Sequence, residues 1–110
     1  MAQTLDFNKV KKSYFTITLP DEKQTKLMLL TPTKTLLTSL MEMLPEDNGE
    51  MPSEEDLNAL YELTARLMSR NKAGKRIEAE TLSEILDFED LSIFFTAYTE
   101  FIQGRVNEKN

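Results

Sequence analysis

The sequence predicts an α+β fold that is mostly α, with an N-terminal β-hairpin followed by about four helices. Two patterns support this prediction. Near the N-terminus, apolar and polar residues alternate with a period of two, which is typical of a strand with one buried face. After residue 31 the apolar residues recur at spacings of three and four, which indicates amphipathic helices. A chain of 110 residues has room for one hydrophobic core, so residues 1–110 are expected to form a single domain.

The hairpin is predicted over about residues 14–30. Its first strand, residues 14–19, has the sequence YFTITL, in which aromatic and β-branched residues alternate across the two faces. Pro20 begins the turn, because proline presets the backbone angle that a turn needs. The returning strand, residues 25–30, is apolar on both faces. It is therefore expected either to be covered on both sides or to pair along its outer edge. A further short strand is predicted at residues 5–7.

The first helix is predicted to begin at Pro32, with Thr31 as its N-cap, because proline is well tolerated at the first helical position. It is expected to run to about Leu44, where Pro45 stops it. An acidic loop follows over about residues 45–53. Its prolines, glycine and carboxylates are typical of a solvated connection.

The helical part over about residues 54–104 is predicted to contain three more helices. Ser53 and Asp56 have the spacing of a capping box, in which each side chain bonds the backbone of the other residue. Asp87 and Asp90 repeat this spacing before the last helix. Both starts are therefore predicted from local sequence alone.

Glycines mark the expected ends of two of these helices. Gly74 is predicted to close the helix that begins after Ser53, because glycine readily adopts the left-handed conformation found past helix ends. Gly104 is the expected end of the last helix, with the residues after it fraying. A short helix is predicted between them, over roughly residues 79–86.

The composition disfavours catalysis and metal binding. The chain contains no histidine and no cysteine, which removes the usual general base, the usual thiolate nucleophile and the commonest transition-metal ligands. Its three glycines do not form a phosphate-binding motif. The acidic loop has carboxylates without the ligand spacing of a calcium-binding EF-hand. We therefore expect no enzyme activity, no metal and no cofactor.

The charge and hydropathy leave protein binding as the expected function class. A net charge of −6 disfavours nucleic acid as a partner, because phosphate contacts require basic residues. The basic segment at residues 70–76 has no interleaved aromatic residues and is expected to be a solvated helix end. No apolar run approaches the roughly 20 residues of a membrane span, so no membrane is expected as a partner.

Five apolar residues are candidates for contact with another protein. Met41 and Met43 belong to the first helix, whose apolar arc is wider than one core face requires, and methionine adapts to varied partners. Ile93 lies opposite the apolar stripe of the last helix, while Phe101 and Ile102 lie beside its expected fraying end. The alternative is that these residues fill the core of a small protein.

Three segments carry a family resemblance: LDFNKVKKSYFTITLPD at residues 5–21, LMSRNKAGKRIEAETL at 67–82 and FEDLSIFFTAYTEFIQG at 88–104. In these segments, and in the order of hairpin, acidic loop and helices, the chain resembles the tail assembly chaperones of long-tailed bacteriophages and prophages of Gram-positive bacteria. The resemblance lies in the order of the elements and in the general residue pattern of the chain rather than in a catalytic signature.

The resemblance implies a non-enzymatic protein in the cytoplasm of the host bacterium. Members of this family bind the long hydrophobic tape measure protein, keep it soluble and assist assembly of the tail tube protein around it. They are absent from the mature virion. The family has no residue-level binding motif that maps onto this chain, so no site is transferred. Self-association is expected, because an apolar surface on a small protein tends to be paired when no client is present.

Two other classes of protein remain open at this stage. A minor structural phage protein, such as a head–tail connector or a tail component, could share this size and composition. A small regulatory protein-binding module is also compatible, although the acidic balance disfavours operator DNA as its target.

Overall fold

The computed structural model describes residues 4–43 and 53–107. In chain order the elements are a 3-10 turn at Phe7–Lys9, strands β1 (Phe15–Thr18) and β2 (Lys26–Leu29), and helices α1 (Lys34–Met43), α2 (Glu54–Ser69), α3 (Ala79–Ile85) and α4 (Phe88–Asn107). The predicted α+β, mostly helical fold is confirmed, with its hairpin and four helices. The predicted acidic loop over residues 45–53 lies outside the described residues, apart from its last one.

The predicted hairpin is present. β1 and β2 pair antiparallel, with Phe15 opposite Leu29. In the turn, Asp21 accepts two hydrogen bonds from Thr25, at 2.8 Å from the backbone N–H and 2.6 Å from the hydroxyl. These bonds, that from the hydroxyl foremost, lower the pKa of the Asp21 carboxyl below its usual value, because they stabilise the ionised form.

The outer edge of β2 pairs with the segment that follows α2. The Leu30 N–H donates to the Arg70 carbonyl at 3.0 Å, and the Lys72 N–H donates to the Met28 carbonyl at 2.9 Å. Leu29 is buried on the inner face, whereas Met28 is exposed on the outer one. Edge pairing is therefore the alternative that the structure confirms, and coverage of both faces is wrong.

One hydrophobic core joins the hairpin to the helices. Leu27 and Leu29 of β2 supply its hairpin side. The helices supply most of the rest, and their buried apolar residues are Leu40 of α1, Leu60, Leu63, Ala65, Leu67 and Met68 of α2, Leu82 of α3, and Leu91, Phe94, Phe95, Tyr98 and Ile102 of α4. Burial of such side chains is the main favourable contribution to folding.

Two predictions for the N-terminal half are wrong. The segment predicted as a strand at residues 5–7 instead leads into the 3-10 turn, with the Asp6 carboxylate accepting from the Asn8 N–H at 2.9 Å. Helix α1 begins at Lys34 rather than Pro32, because the Thr31 carbonyl accepts a hydrogen bond from Arg70 Nε at 2.6 Å and stays outside the helix. Thr33 accepts the first helical bond in its place.

The predicted starts of α2 and α4 are confirmed, but neither Gly74 nor Gly104 ends its helix. Helix α2 stops at Ser69, and Gly74 belongs to a separate turn, where its N–H donates to the Asn71 carbonyl at 3.0 Å. Its φ of 71° is still the left-handed conformation that favours glycine. Helix α4 continues through Gly104 to Asn107. The short helix α3 lies where it was predicted.

Candidate protein-binding surface

Helix α4 has a buried stripe and one apolar residue outside it. Ile93 is 62 % exposed, while its neighbour Phe94 is buried. On the helix surface Ile93 lies between Glu89, four residues before it, and Glu100, seven residues after it, and both of these are exposed. The outer face of α4 therefore presents an isolated apolar side chain between two carboxylates.

An aromatic cluster fixes the hairpin against α4. The rings of Phe15 and Phe101 stack with centroids 5.4 Å apart, and Tyr98 lies 6.0 Å from Phe15 and 5.4 Å from Phe94. Separations of this size are favourable for aromatic pairs. As a result, β1 runs beside α4 at a fixed distance.

A groove opens between β1 and α4 next to this cluster, and we call it the β1–α4 groove. It encloses about 320 Å³, and its lining is apolar except at Thr18 and Asp90. The lining residues are Phe15, Ile17, Thr18, Leu19, Pro20, Met68, Leu86, Asp90, Ile93, Phe94 and Ala97. The exposed Ile93 thus belongs to a continuous apolar depression, and shallow apolar depressions are the usual docking sites for amphipathic segments of other proteins.

The five residues proposed from sequence do not form one site. Ile93 lines the β1–α4 groove, and Met41 is 67 % exposed on α1. Met43 is half-buried against the core and lines a different cleft, between α1 and α2. Phe101 is half-covered by Phe15. Ile102 is only 8 % exposed, so its assignment to a contact surface is wrong, and it belongs to the core of this chain.

Sequence reasoning missed several exposed apolar side chains. Met28 is exposed, but the sequence of its strand is apolar on both faces and so does not single it out. Alternation along the strand puts Met28 on the face opposite Leu27 and Leu29, and this pattern could have identified it. Leu5 and Phe7 were obscured by the predicted strand at their position. They are 68 % and 72 % exposed.

A second depression, larger than the β1–α4 groove, is polar. It encloses about 600 Å³ between α1, α2 and residues 76–79, and its charged lining includes Glu62 and Arg66. Arg76 and Glu78 at its rim pair with each other at 3.0 Å and are both largely exposed. Solvated charges of this kind contribute little binding energy, so this cleft is a weaker candidate than the β1–α4 groove.

Buried polar groups in the described residues serve the fold. The Tyr98 hydroxyl donates to the Leu30 carbonyl at 2.7 Å, and burial raises the pKa of Tyr98 to about 12. The Tyr61 hydroxyl donates to the Leu86 carbonyl at 2.5 Å; burial is the first cause of its raised pKa, and the nearby Asp87 charge adds to it. Among residues 4–43 and 53–107, no group of three or more acidic side chains is placed to hold a metal ion.

Comparisons of the chain with protein-family models, with curated proteins and with solved structures give no match. Within the described residues, no helix is both long enough and apolar enough to cross a membrane. The candidate site therefore stands on its own geometry: an apolar groove between β1 and α4, with Ile93 exposed at its rim.

Proposed function

We propose that this protein is a non-enzymatic tail assembly chaperone that binds the tape measure protein of a long-tailed phage. It keeps that client soluble in the cytoplasm of the host bacterium, assists assembly of the tail tube protein around it, and is absent from the mature virion. The observation that carries the proposal is the exposed Ile93 on the apolar β1–α4 groove. The resemblance of the three sequence segments gives the client its identity.

The groove suits an elongated hydrophobic client. A helical client presents apolar side chains at every third or fourth position, and such a stripe docks into an apolar groove. Ile93 offers the first contact because more than half of its surface is exposed. Burying one isoleucine side chain contributes about 1.5–3 kcal/mol, so a long client with repeated stripes gains affinity from many weak contacts. The flanking Glu89 and Glu100 keep the unoccupied face of α4 soluble.

Met41 provides a second contact for the same client. Its side chain is unbranched and adaptable, and it is 67 % exposed on α1. Met43, two residues later, is half-buried against the core and lines the cleft beside α2. A client long enough to reach both helices would contact Met41 and Ile93 at once, which increases the effective local concentration of each site.

Co-expression with the cognate tape measure protein tests the proposal. The wild-type chain is expected to keep the client soluble, and Ile93→Asp is expected to lower the soluble client by about tenfold, because the client would then have to bury a charge. Thr96→Asp is the matched control, because it adds the same charge at an exposed position one turn along α4. Met41→Asp is expected to give an intermediate loss.

Two results would contradict the proposal. If the wild-type chain leaves the tape measure protein insoluble, the chaperone function is wrong. If Ile93→Asp and Thr96→Asp keep equal amounts of client soluble, the function stands but the groove is not its site. Mass spectrometry of purified virions gives an independent check, since a structural tail protein would be found in the particle and a chaperone would not.

A further inference from the structure

Residues 4–12 form an exposed segment that ends two residues before β1, and we call it the N-terminal arm. Every residue of the arm is exposed, including Leu5, Phe7 and Val10. None of the arm residues lines the β1–α4 groove of its own chain. Three large apolar side chains in one short exposed segment are unfavourable in water, since each costs free energy that burial would recover.

The arm is nevertheless locally ordered. Asp6 accepts hydrogen bonds from the Asn8 N–H at 2.9 Å and from the Asn8 side-chain amide at 3.1 Å. The Lys9 N–H donates to the Asp6 carbonyl at 2.9 Å, which closes the 3-10 turn. A segment that is already shaped loses less conformational entropy when it docks. The arm therefore has the properties of a preformed ligand.

The charges of the arm and the groove are complementary. Lys9, Lys11 and Lys12 outnumber the single carboxylate of Asp6, so the arm is basic on a chain whose net charge is −6. The α4 side of the groove is acidic: Asp90 lies in the lining, and the exposed Glu89 and Glu100 lie outside the lining on the same helix face as Ile93, one turn before it and two turns after it. Apolar side chains flanked by lysines thus match an apolar groove flanked by carboxylates.

The β1 wall of the groove also suits an extended segment. The Leu19 N–H donates to the Thr25 carbonyl across the hairpin. The backbone N–H and C=O groups of alternate β1 residues therefore point towards β2, and those of the residues between them point away from it. The residues whose backbone groups point away from β2 are Thr16 and Thr18, and no backbone hydrogen bond from another described residue reaches these groups. A chain lying along this edge could bond to them as an added strand does.

We propose that the N-terminal arm of one copy docks in the β1–α4 groove of a second copy, and that the two copies exchange arms in a symmetric dimer. The dimer shields the groove until a client displaces the arms. This inference rests on the groove being a binding site, as the proposed function requires, but it does not depend on the identity of the client. An exchange of identical segments about a two-fold axis makes both contacts equivalent.

Charge reversal on each side of the contact tests the exchange with the protein alone. The arm variant carries Lys9→Glu and Lys11→Glu, and the groove variant carries Glu89→Lys and Glu100→Lys. Each variant by itself would bring like charges together in both contacts of its dimer. In a heterodimer of the two variants, however, an acidic arm meets a basic groove and a basic arm meets an acidic groove.

Sedimentation velocity over a concentration series, at low ionic strength, provides the measurement. The wild type is expected to dimerise, each variant alone to dissociate with a dissociation constant raised by about tenfold or more, and an equimolar mixture to dimerise again. Lys34→Glu with Arg66→Glu is the matched control for the arm variant: it makes the same charge change at exposed positions on α1 and α2 and should leave the dimer intact.

Three outcomes would overturn the exchange. A wild-type chain that stays monomeric at every concentration would do so, and this is also the result expected if the arm folded onto its own groove. Single variants that dimerise as the wild type does, or a mixture that remains monomeric, would show that the arm and the groove do not meet. None of these outcomes bears on solubilisation of the client, so failure of the exchange and failure of the proposed function are distinguishable.

Discussion

At the scale of single residues, Tyr98 connects more parts of the fold than its position on α4 suggests. Its ring contacts Phe15 of β1 and Phe94 of its own helix, and its hydroxyl donates to the carbonyl of Leu30 just after β2. Its side chain is fully buried. The hairpin is thus attached to α4 through both the apolar and the polar parts of one side chain.

The raised pKa of Tyr98 predicts a loss of stability at alkaline pH. Because burial raises its folded-state pKa from 10.0 to about 12, the folded state binds the hydroxyl proton more tightly than the unfolded state does. The stabilisation from this group is therefore complete below about pH 10 and is lost as the pH rises towards 12. Urea unfolding of the wild type between pH 8 and 12 should show this decline.

Tyr98→Phe separates this effect from the titration of other groups. The variant lacks the hydroxyl and leaves the Leu30 carbonyl without its donor, so we expect its free energy of unfolding to fall by about 1 kcal/mol near neutral pH. Its alkaline decline should be smaller than that of the wild type. Tyr14→Phe serves as the control, because Tyr14 is half-buried and the bond to the Leu30 carbonyl comes from Tyr98 instead. Equal alkaline declines in wild type and Tyr98→Phe would contradict the assignment.

At the scale of elements, the starts of α2 and α4 follow from local sequence. In the box before α4, the Asp87 carboxylate accepts from the Asp90 N–H at 2.8 Å, and the Asp90 carboxylate accepts from the Asp87 N–H at 3.0 Å. Ser53 and Asp56 make the same reciprocal pair before α2. Both boxes are predictable because every partner lies within three residues.

Loss of the α4 box should destabilise the protein measurably. Asp87→Ala removes the acceptor of the Asp90 N–H, and we expect the free energy of unfolding to fall by about 1 kcal/mol. Glu89 lies in the same first turn, and its side chain makes no hydrogen bond to a described residue. Glu89→Ala should therefore change the free energy of unfolding by less than about 0.5 kcal/mol. Thermal unfolding of the two variants in parallel checks this. Equal effects would mean that overall charge, rather than the cap, stabilises the helix.

Other element boundaries depend on partners far along the chain and could not be predicted locally. The start of α1 is displaced because Arg70 holds the Thr31 carbonyl, and the two residues are 39 positions apart. The candidate site has the same limitation. The sequence predicts a fraying end beside Ile102, but α4 continues to Asn107, and Phe101 is half-covered by a ring from β1. Only Ile93 and Met41 could be identified as exposed, because their own helices place them outside the buried faces.

At the scale of the whole molecule, the sequence predicts the fold class and the presence of the hairpin, since both follow from periodicity. It does not predict how the hairpin joins the helices. That junction is made by backbone pairing of β2 with residues 70–72, and Asn71 lies at its centre, opposite Leu29. An asparagine in a polar segment gives no local sign of this role.

Asn71 is buried and satisfies three backbone groups at once. Its side-chain amide donates to the Met68 carbonyl at 2.8 Å and to the Lys75 carbonyl at 2.7 Å, and its side-chain oxygen accepts from the Lys75 N–H at 2.9 Å. These bonds connect the end of α2 to the turn that precedes α3. They also hold Asn71 in the position where it forms a bridge with Leu29 of β2.

Asn71→Ala should therefore weaken the attachment of the hairpin as well as the turn. Three backbone groups would lose their partners at a poorly solvated position, and we expect the free energy of unfolding to fall by about 2–3 kcal/mol. Asn58→Ala is the control, because Asn58 is exposed within α2 and alanine favours the helix. In hydrogen exchange, the amides of Leu30 and Lys72 should lose protection before the α4 amides do, because they pair across this junction. If Asn71→Ala is as stable as Asn58→Ala, or if Leu30 and Lys72 keep their protection, the hairpin is held by its aromatic contacts with α4 instead.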